Sequence, residues 1–178
     1  MSFKKNKNYN QYRNQTKLVR GGLFRSSHGE TSEAIFMNSG YVFENAEQAE
    51  ARFAGEEAGY LYTRYGNPTV AMFEERMALN EGSETCFATA SGMSAVFASL
   101  MCQLKSGDHV LSSRALFGSC FHIIDQILPR FGIATDLIDG TDNNQWEQKI
   151  NKNTKCIFLE TPSNPMMEII DIQHVSNI

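Results

Sequence analysis

The 178-residue sequence lacks the basic character of a nucleic-acid-binding protein. Its formal net charge is −4 at pH 7, from 16 Lys and Arg residues against 20 Asp and Glu residues. Proteins that bind nucleic acid usually present a basic face to the phosphates. The one basic cluster lies within residues 4–20 and alternates with Asn, Gln and Tyr, which is typical of a solvated tail. We therefore expect no nucleic-acid partner, and we expect residues 1–20 to form a flexible tail.

Long apolar runs and a secretory signal are also absent. No apolar stretch approaches the roughly 20 residues that a membrane-spanning helix requires. The N-terminus lacks the apolar core of a secretory signal. Hydrophobic residues make up 42% of the chain and charged residues 20%, as in globular domains. The sequence therefore predicts a cytoplasmic protein without a membrane partner.

The sequence shows no spacing typical of a metal site. It contains no C-x-x-C pair, and its four histidines are scattered along the chain. Each cysteine lies among apolar residues in a predicted strand or helix, which favours buried free thiols in a reducing compartment over disulfides. No metal is expected. The cysteines are Cys86, Cys102, Cys120 and Cys156.

The central stretch at residues 84–104 has the pattern of a strand, a turn and a helix. Residues 84–89 read as a short strand, small residues follow at 90–92, and helical periodicity begins at Met93. The first N–H groups of such a helix lack internal partners and favour a phosphate. A plain structural joint is the alternative. Neither G-x-G-x-x-G nor G-x-x-x-x-G-K occurs, which weakens dinucleotides and nucleoside triphosphates as ligands.

Two further stretches contain candidate phosphate and ligand contacts. In residues 59–69, Asn67-Pro68 is a turn signal, and Arg64 lies between tyrosines. Arg is well suited to forked contacts with phosphate, although a salt-bridged surface Arg is the commoner case. Alternating strands and helices from residue 84 onward, among them a strand at 109–113 and a helix at 118–131, predict a parallel sheet covered by helices. Ligands bind at the carboxyl ends of such strands. The residues just past predicted strand ends are Ser91, Phe117 and Asn164.

Four segments follow one another in the order and spacing of one enzyme family. They read YTRYGNPT at 62–69, ATASGM at 88–93, SRALFGS at 113–119 and FLETPSNP at 158–165. The set resembles the pyridoxal-phosphate enzymes of cysteine and methionine metabolism. This resemblance implies an α/β fold in which an extended N-terminal arm precedes a mostly parallel sheet with helices on both faces. Such a sheet is the first part of the fold-type I pyridoxal-phosphate-dependent transferase large domain.

Within this family, the sequence is most similar to the sulfhydrylases that act on O-succinylhomoserine. Lyases usually have tyrosine at the position of Phe117, and methionine lyases commonly have cysteine at that of Ser119. The resemblance implies γ-replacement of O-succinylhomoserine with sulfide to give homocysteine in methionine biosynthesis. A cystathionine γ-synthase or lyase is the alternative. A non-catalytic truncated chain, or one half of an assembled enzyme, is the alternative from another class.

The resemblance assigns the cofactor, pyridoxal 5′-phosphate, to named residues. The backbone N–H groups of Gly92 and Met93 are expected to bind its phosphate, with Ser91 framing the turn. Phe117 is expected to stack on the pyridine ring. Asn164 is expected to lie near the ring hydroxyl and the carboxylate of an amino-acid substrate.

Subunit contacts are also implied by the resemblance. Tyr62 and Arg64 are expected to reach the phosphate of a neighbouring subunit, with Tyr62 also near the substrate, so the enzyme is expected to be a homo-oligomer, a dimer of dimers. Residues 21–59 are expected to form an arm for subunit contacts. Within them, and independently of the resemblance, residues 46–53 are rich in helix formers and predict a short helix.

The family pattern also places part of the chemistry outside this sequence. Residues 60–178 are expected to be the N-terminal part of the cofactor-binding domain. The lysine that binds the cofactor covalently is expected beyond Ile178, and Glu160 is expected to shape a strand end.

Overall fold

The computed structural model describes residues 9–178, and these divide into two compact units, the first ending at Ala88 and the second spanning Thr89–Ile178. The boundary between the units lies inside the predicted cofactor domain of residues 60–178. The assignment of residues 21–59 to subunit contacts stays a prediction. No helix in the described part of the chain is both long and apolar enough to cross a membrane.

The first unit is helical and contains an irregular segment. A 3-10 turn at Tyr9–Gln11 precedes helix α1 (Asn14–Arg20), and α2 (Ala46–Phe53) and α3 (Pro68–Glu81) follow. Residues 1–8 of the predicted flexible tail lie outside the described residues, whereas α1 lies within that tail and packs beside α3. Between α1 and α2 the backbone is irregular.

Capping residues set the start of the longer helices in the first unit. Asn45 accepts the Gln48 N–H at 2.7 Å, so α2 begins at the predicted residue. Asn67 caps α3, and Pro68 occupies its first position, where a missing N–H is tolerated. Gly82, with φ of 67°, ends α3 in the left-handed conformation that glycine adopts without strain.

The predicted strand at residues 84–89 is wrong. The described residues offer this segment no neighbouring strand, and Phe87 is 85% exposed. The Ala88 N–H donates instead to the Glu74 carboxylate at 2.7 Å. A strand requires a ladder of bonds to another strand, so apolar alternation alone does not create one here.

The second unit has a parallel three-stranded sheet. The strands are β1 (His109–Ser113), β2 (Ala134–Ile138) and β3 (Thr154–Phe158), in the order β2-β1-β3. Its helices are α4 (Gly92–Met101), α5 (Gly118–His122), α6 (Asn143–Lys149) and α7 (Ile172–Asn177). The predicted parallel sheet is confirmed, and β1 has its predicted bounds.

Helices cover both faces of the sheet, as predicted. Neighbouring residues of a strand point to opposite faces, and Val110 and Leu111 of β1 belong to two separate core clusters. One cluster contains Leu100 of α4 and Cys120 of α5. The other contains Trp146 of α6, which is fully buried and donates its ring N–H to the Gly140 carbonyl at 3.0 Å.

The predicted helix at residues 118–131 is present but changes pitch twice. After α5 the chain continues as a π segment, Ile123–Ile127, and a 3-10 turn, Leu128–Phe131. Pro129 lacks an N–H, and its ring would clash with the carbonyl four residues earlier in a regular α-helix. The pitch therefore departs from α-helical before this proline.

The four cysteines are free, but they are not all buried as predicted. Cys102 is exposed, Cys120 is buried, and the other two are half-buried. The apolar neighbours of Cys102 along the chain led to the wrong expectation that its side chain is buried. Cys102 lies instead at the C-terminal cap of α4 and is exposed.

Candidate functional site

The N-terminus of α4 presents two backbone donors. Ser91 caps the helix: its hydroxyl accepts the Ser94 N–H at 3.1 Å, and its carbonyl accepts the Ala95 N–H at 3.1 Å. Within the part of the chain described, the N–H groups of Gly92 and Met93 have no hydrogen-bond partner. These two donors are available to an anion, and the helix dipole favours negative charge there.

Space beside Gly92 suits the approach of a ligand. A Cβ atom added at this glycine would meet no atom within 4 Å. Ser91 and Gly92 are both exposed, and Met93 is half-buried. Small residues at this turn therefore leave the two donors accessible.

The loops after β1 and β3 meet at one carboxylate. Glu160 accepts the Phe117 N–H at 2.8 Å through Oε2 and the Asn164 N–H at 2.7 Å through Oε1. Phe117 precedes α5, and the residue is 46% exposed. The structure thus brings Phe117 and Asn164 together at the carboxyl ends of neighbouring parallel strands, where ligands of such sheets bind.

The loop that carries Asn164 is anchored by side chains on either side of it. The Ser163 hydroxyl is buried and accepts the Glu168 N–H at 3.0 Å. The Thr161 hydroxyl accepts the Ile170 N–H at 3.0 Å. The Asn164 residue itself is exposed, so the anchored backbone presents it to solvent.

An ion pair joins the loop after β1 to the loop after β2. Arg114 contacts the Asp139 carboxylate at 2.7 Å, and its backbone N–H donates to the Ile138 carbonyl at 2.8 Å. Hydrogen bonds from the side chain and backbone of Thr141, and then the nearby Arg114, lower the pKa of Asp139. Asp139 is therefore a carboxylate at neutral pH.

The Cys120 thiol lies buried beside this site. Burial, and secondly the negative charge of Glu160, raise the pKa of Cys120 above its ordinary value. The thiol is thus protonated at neutral pH and is a poor nucleophile.

Tyr62 and Arg64 lie in the first unit, on a turn over residues 62–66. The Tyr62 carbonyl accepts the N–H groups of Tyr65 at 2.9 Å and Gly66 at 3.1 Å. The Arg64 guanidinium lies 5.6 Å from the Tyr62 ring centroid and 5.3 Å from that of Tyr65. Among residues 9–178 no carboxylate forms an ion pair with Arg64. Its charge is therefore available to an anion, and the salt-bridged alternative is not what the structure shows.

Asn67 holds this turn, and the sequence indicated it only as a turn residue. Its Nδ2 donates to the Phe36 carbonyl at 3.0 Å and to the Thr63 hydroxyl at 3.2 Å, and its Oδ1 accepts the Thr69 N–H at 2.8 Å. Asn67 is 4% exposed. Thr63 bonds in turn to the Asn38 carbonyl. The irregular arm, the turn and α3 are joined through this one amide.

The second unit suits a ligand with an anionic group and a flat ring. Gly92 and Met93 offer donors without partners, and Phe117 offers an exposed aromatic face. Aromatic rings stack favourably in offset arrangements. No group of three or more His, Cys, Asp or Glu side chains that could hold a metal ion occurs among the described residues. Two free backbone donors and an exposed ring would suit an aromatic phosphate as a ligand.

Comparison with known proteins gives the family. Residues 15–178 match the family described as Cys/Met metabolism PLP-dependent enzyme, and the chain belongs to this family. The sequence is 52% identical over 160 residues to an O-succinylhomoserine sulfhydrylase from Mycobacterium tuberculosis, covering 90% of this chain and 39% of the relative. An L-methionine gamma-lyase from Fusobacterium nucleatum is 38% identical, covering 92% of this chain and 41% of that enzyme.

A solved structure supports the fold and the cofactor class. A Campylobacter jejuni protein assigned as an O-acetylhomoserine (thiol)-lyase has a TM-score of 0.85 and 36% identity, covering 93% of this chain and 41% of its own. It was solved with N′-pyridoxyl-lysine-5′-monophosphate. The predicted family, fold class and cofactor are confirmed. The chain spans about two-fifths of the length of the curated relatives it matches, and the lysine expected beyond Ile178 stays a prediction.

Proposed function

We propose that this chain belongs to a pyridoxal-phosphate-dependent sulfhydrylase that replaces the γ-substituent of O-succinylhomoserine with sulfide and forms homocysteine. The observation that carries the proposal is the difference in identity between relatives. The chain is 52% identical to an O-succinylhomoserine sulfhydrylase but 38% identical to a methionine lyase over nearly the same residues. Methionine biosynthesis in the cytoplasm is the corresponding process.

In the proposed reaction, the residues of this chain bind and orient the cofactor and the substrate. Gly92 and Met93 would hold the cofactor phosphate through their N–H groups, and Phe117 would stack on the ring. Asn164 would lie by the ring hydroxyl and the substrate carboxylate. Pyridoxal phosphate, when bound, supplies the electron sink for proton loss at the substrate carbons.

Tyr62 and Arg64 are proposed to act on the phosphate of a neighbouring subunit in a homo-oligomer, a dimer of dimers. The support is that the Arg64 charge is unpaired within the described residues, and that Arg binds phosphate in a forked geometry. Tyr62 is 45% exposed and can donate a further hydrogen bond. An arm of irregular backbone before α2 is consistent with contacts to another subunit.

Steady-state assays of the intact protein test this proposal. With O-succinylhomoserine as the amino-acid substrate, kcat/KM is expected to be higher for sulfide than for cysteine as nucleophile. Preference for cysteine would indicate a cystathionine γ-synthase instead. Release of a keto acid from methionine at a higher kcat/KM than either replacement would indicate a lyase.

A further inference from the structure

One carboxylate couples the two loops that carry Phe117 and Asn164. Glu160 accepts the backbone N–H of each residue with a different oxygen, at 2.8 and 2.7 Å. Phe117 follows β1 and Asn164 follows β3, and these strands are hydrogen-bonded neighbours. The separation of the two loops is therefore set by the width of one carboxyl group.

This arrangement requires the ionised form of Glu160. An ionised carboxylate has acceptors on both oxygens, whereas an amide or a protonated carboxyl replaces one acceptor by a donor. A donor facing a backbone N–H breaks that hydrogen bond and repels the group. The Cys120 thiol is the nearby titratable group that senses this charge, and because its pKa is raised it adds no competing negative charge.

The side chains of Phe117 and Asn164 depend on their backbones for position. Phe117 is 46% exposed, and in the described structure the Asn164 side-chain amide makes no hydrogen bond. The loops themselves must therefore fix where the ring and the amide lie. Glu160 accepts the backbone N–H groups of Phe117 and Asn164 themselves, so it holds the backbone at the two residues whose side chains must be positioned.

We propose that Glu160 is a positioning residue that sets the gap between the Phe117 ring and the Asn164 amide. Under the proposed function, on which this part rests, the gap receives the flat ring of the cofactor. Glu160 touches backbone amides and acts on a ligand only through Phe117 and Asn164. The coupling of the two loops is a property of the protein without any ligand.

The test compares Glu160→Gln and Glu160→Asp with Glu147→Gln in the intact protein. Glu147 belongs to α6, and among the described residues its one ion-pair contact is 3.3 Å to His174, so it is a matched control for the loss of one charge. Amide hydrogen exchange is measured first in the cofactor-free protein. Glu160→Gln is expected to raise the exchange rate at Phe117 or Asn164 by about tenfold or more, as the loss of a charge-assisted hydrogen bond predicts. Glu160→Asp keeps two acceptors and is expected to raise it less.

Cofactor binding is the second readout. Glu160→Gln is expected to raise the Kd for pyridoxal phosphate about tenfold and to change the circular dichroism of the bound cofactor. Glu147→Gln is expected to change neither. Unchanged exchange at both amides in Glu160→Gln would overturn the coupling. A wild-type protein that does not bind pyridoxal phosphate would overturn the proposed function and the cofactor part of this inference, but not the exchange result.

A measurement on the wild type covers the case in which Glu160→Gln does not fold. With selective 15N labels, the amide shifts of Phe117 and Asn164 are followed through an acid titration. Both amides are expected to shift with one common midpoint, because one carboxylate accepts a hydrogen bond from each of them. Separate midpoints, or no shift at either amide, would overturn the inference.

Discussion

Replacement of Asn67 by alanine tests whether one buried amide organises the first unit. The substitution removes the cap on the Thr69 N–H, which is expected to cost about 1 kcal/mol. It also leaves the Phe36 carbonyl without its Asn67 donor in a part-buried position, for about 1–3 kcal/mol more. We therefore expect Asn67→Ala to lower the free energy of unfolding by about 2–4 kcal/mol.

Two matched variants separate the contributions of Asn67. Asn45→Ala removes a cap of the same type from α2, but Asn45 is exposed, and among the described residues its side chain makes one hydrogen bond, which it accepts from the Gln48 N–H. Its expected cost is about 1 kcal/mol or less. Asn67→Asp keeps the cap oxygen but puts an oxygen where Nδ2 faced the Phe36 carbonyl, so much of the loss is expected to remain.

Urea denaturation of the intact protein measures these differences. The midpoint is expected to fall in the order wild type, Asn45→Ala, Asn67→Ala, with an unchanged dependence of the free energy on urea concentration. Equal losses for Asn45→Ala and Asn67→Ala would refute the reasoning, because the bonds to Phe36 and Thr63 would then contribute nothing.

Three further predictions concern a glycine pair, a carboxyl group and a buried ring. Gly92→Ala is expected to leave the melting temperature unchanged but to weaken binding of pyridoxal phosphate, because its Cβ meets no atom within 4 Å and narrows access to the free donors. Gly140→Ala is expected to lower the melting temperature, because its Cβ would lie 2.8 Å from Oγ and 3.0 Å from Cβ of the buried Ser113. The Glu30 pKa is lowered to about 2 because the backbone N–H and hydroxyl of Ser26 donate to the carboxylate. The stabilisation from these hydrogen bonds is present above the ordinary pKa of 4.5 and is lost as pH falls towards 2. In Ser26→Ala, the NMR titration midpoint of the Glu30 carboxyl is therefore expected to be higher than in the wild type. Trp146→Phe is expected to cost about 1–3 kcal/mol in urea denaturation, because the ring donor to a buried carbonyl is lost; a change below about 0.5 kcal/mol would contradict this reasoning.

Sequence signals between adjacent residues correctly predicted the helices and strands whose bounds depend on those residues. The short helix at 46–53 and the strand at 109–113 have the predicted bounds, since capping and apolar runs are encoded in adjacent residues. The strand predicted at 84–89 is wrong because a strand depends on a neighbour that sequence spacing does not reveal. The pitch changes before Pro129 could have been anticipated from the proline itself.

The candidate site was predicted from motifs, and Glu160 was expected to shape a strand end, but the hydrogen bonds that support the site were not predicted. Spacing past strand ends indicated Phe117 and Asn164, but not that one carboxylate binds both of their N–H groups. The bond from Phe117 to Glu160 spans 43 residues, and that from Asn67 to the Phe36 carbonyl spans 31. Contacts over such separations are fixed by tertiary packing, and a single sequence contains no periodic signal for them.

A crystal structure of the intact protein with pyridoxal phosphate tests the central claim most directly. The account predicts that phosphate oxygens lie within about 3 Å of the backbone nitrogens of Gly92 and Met93, with the pyridine ring stacked on Phe117. A phosphate bound away from the N-terminus of α4, with these two N–H groups facing water, would contradict it.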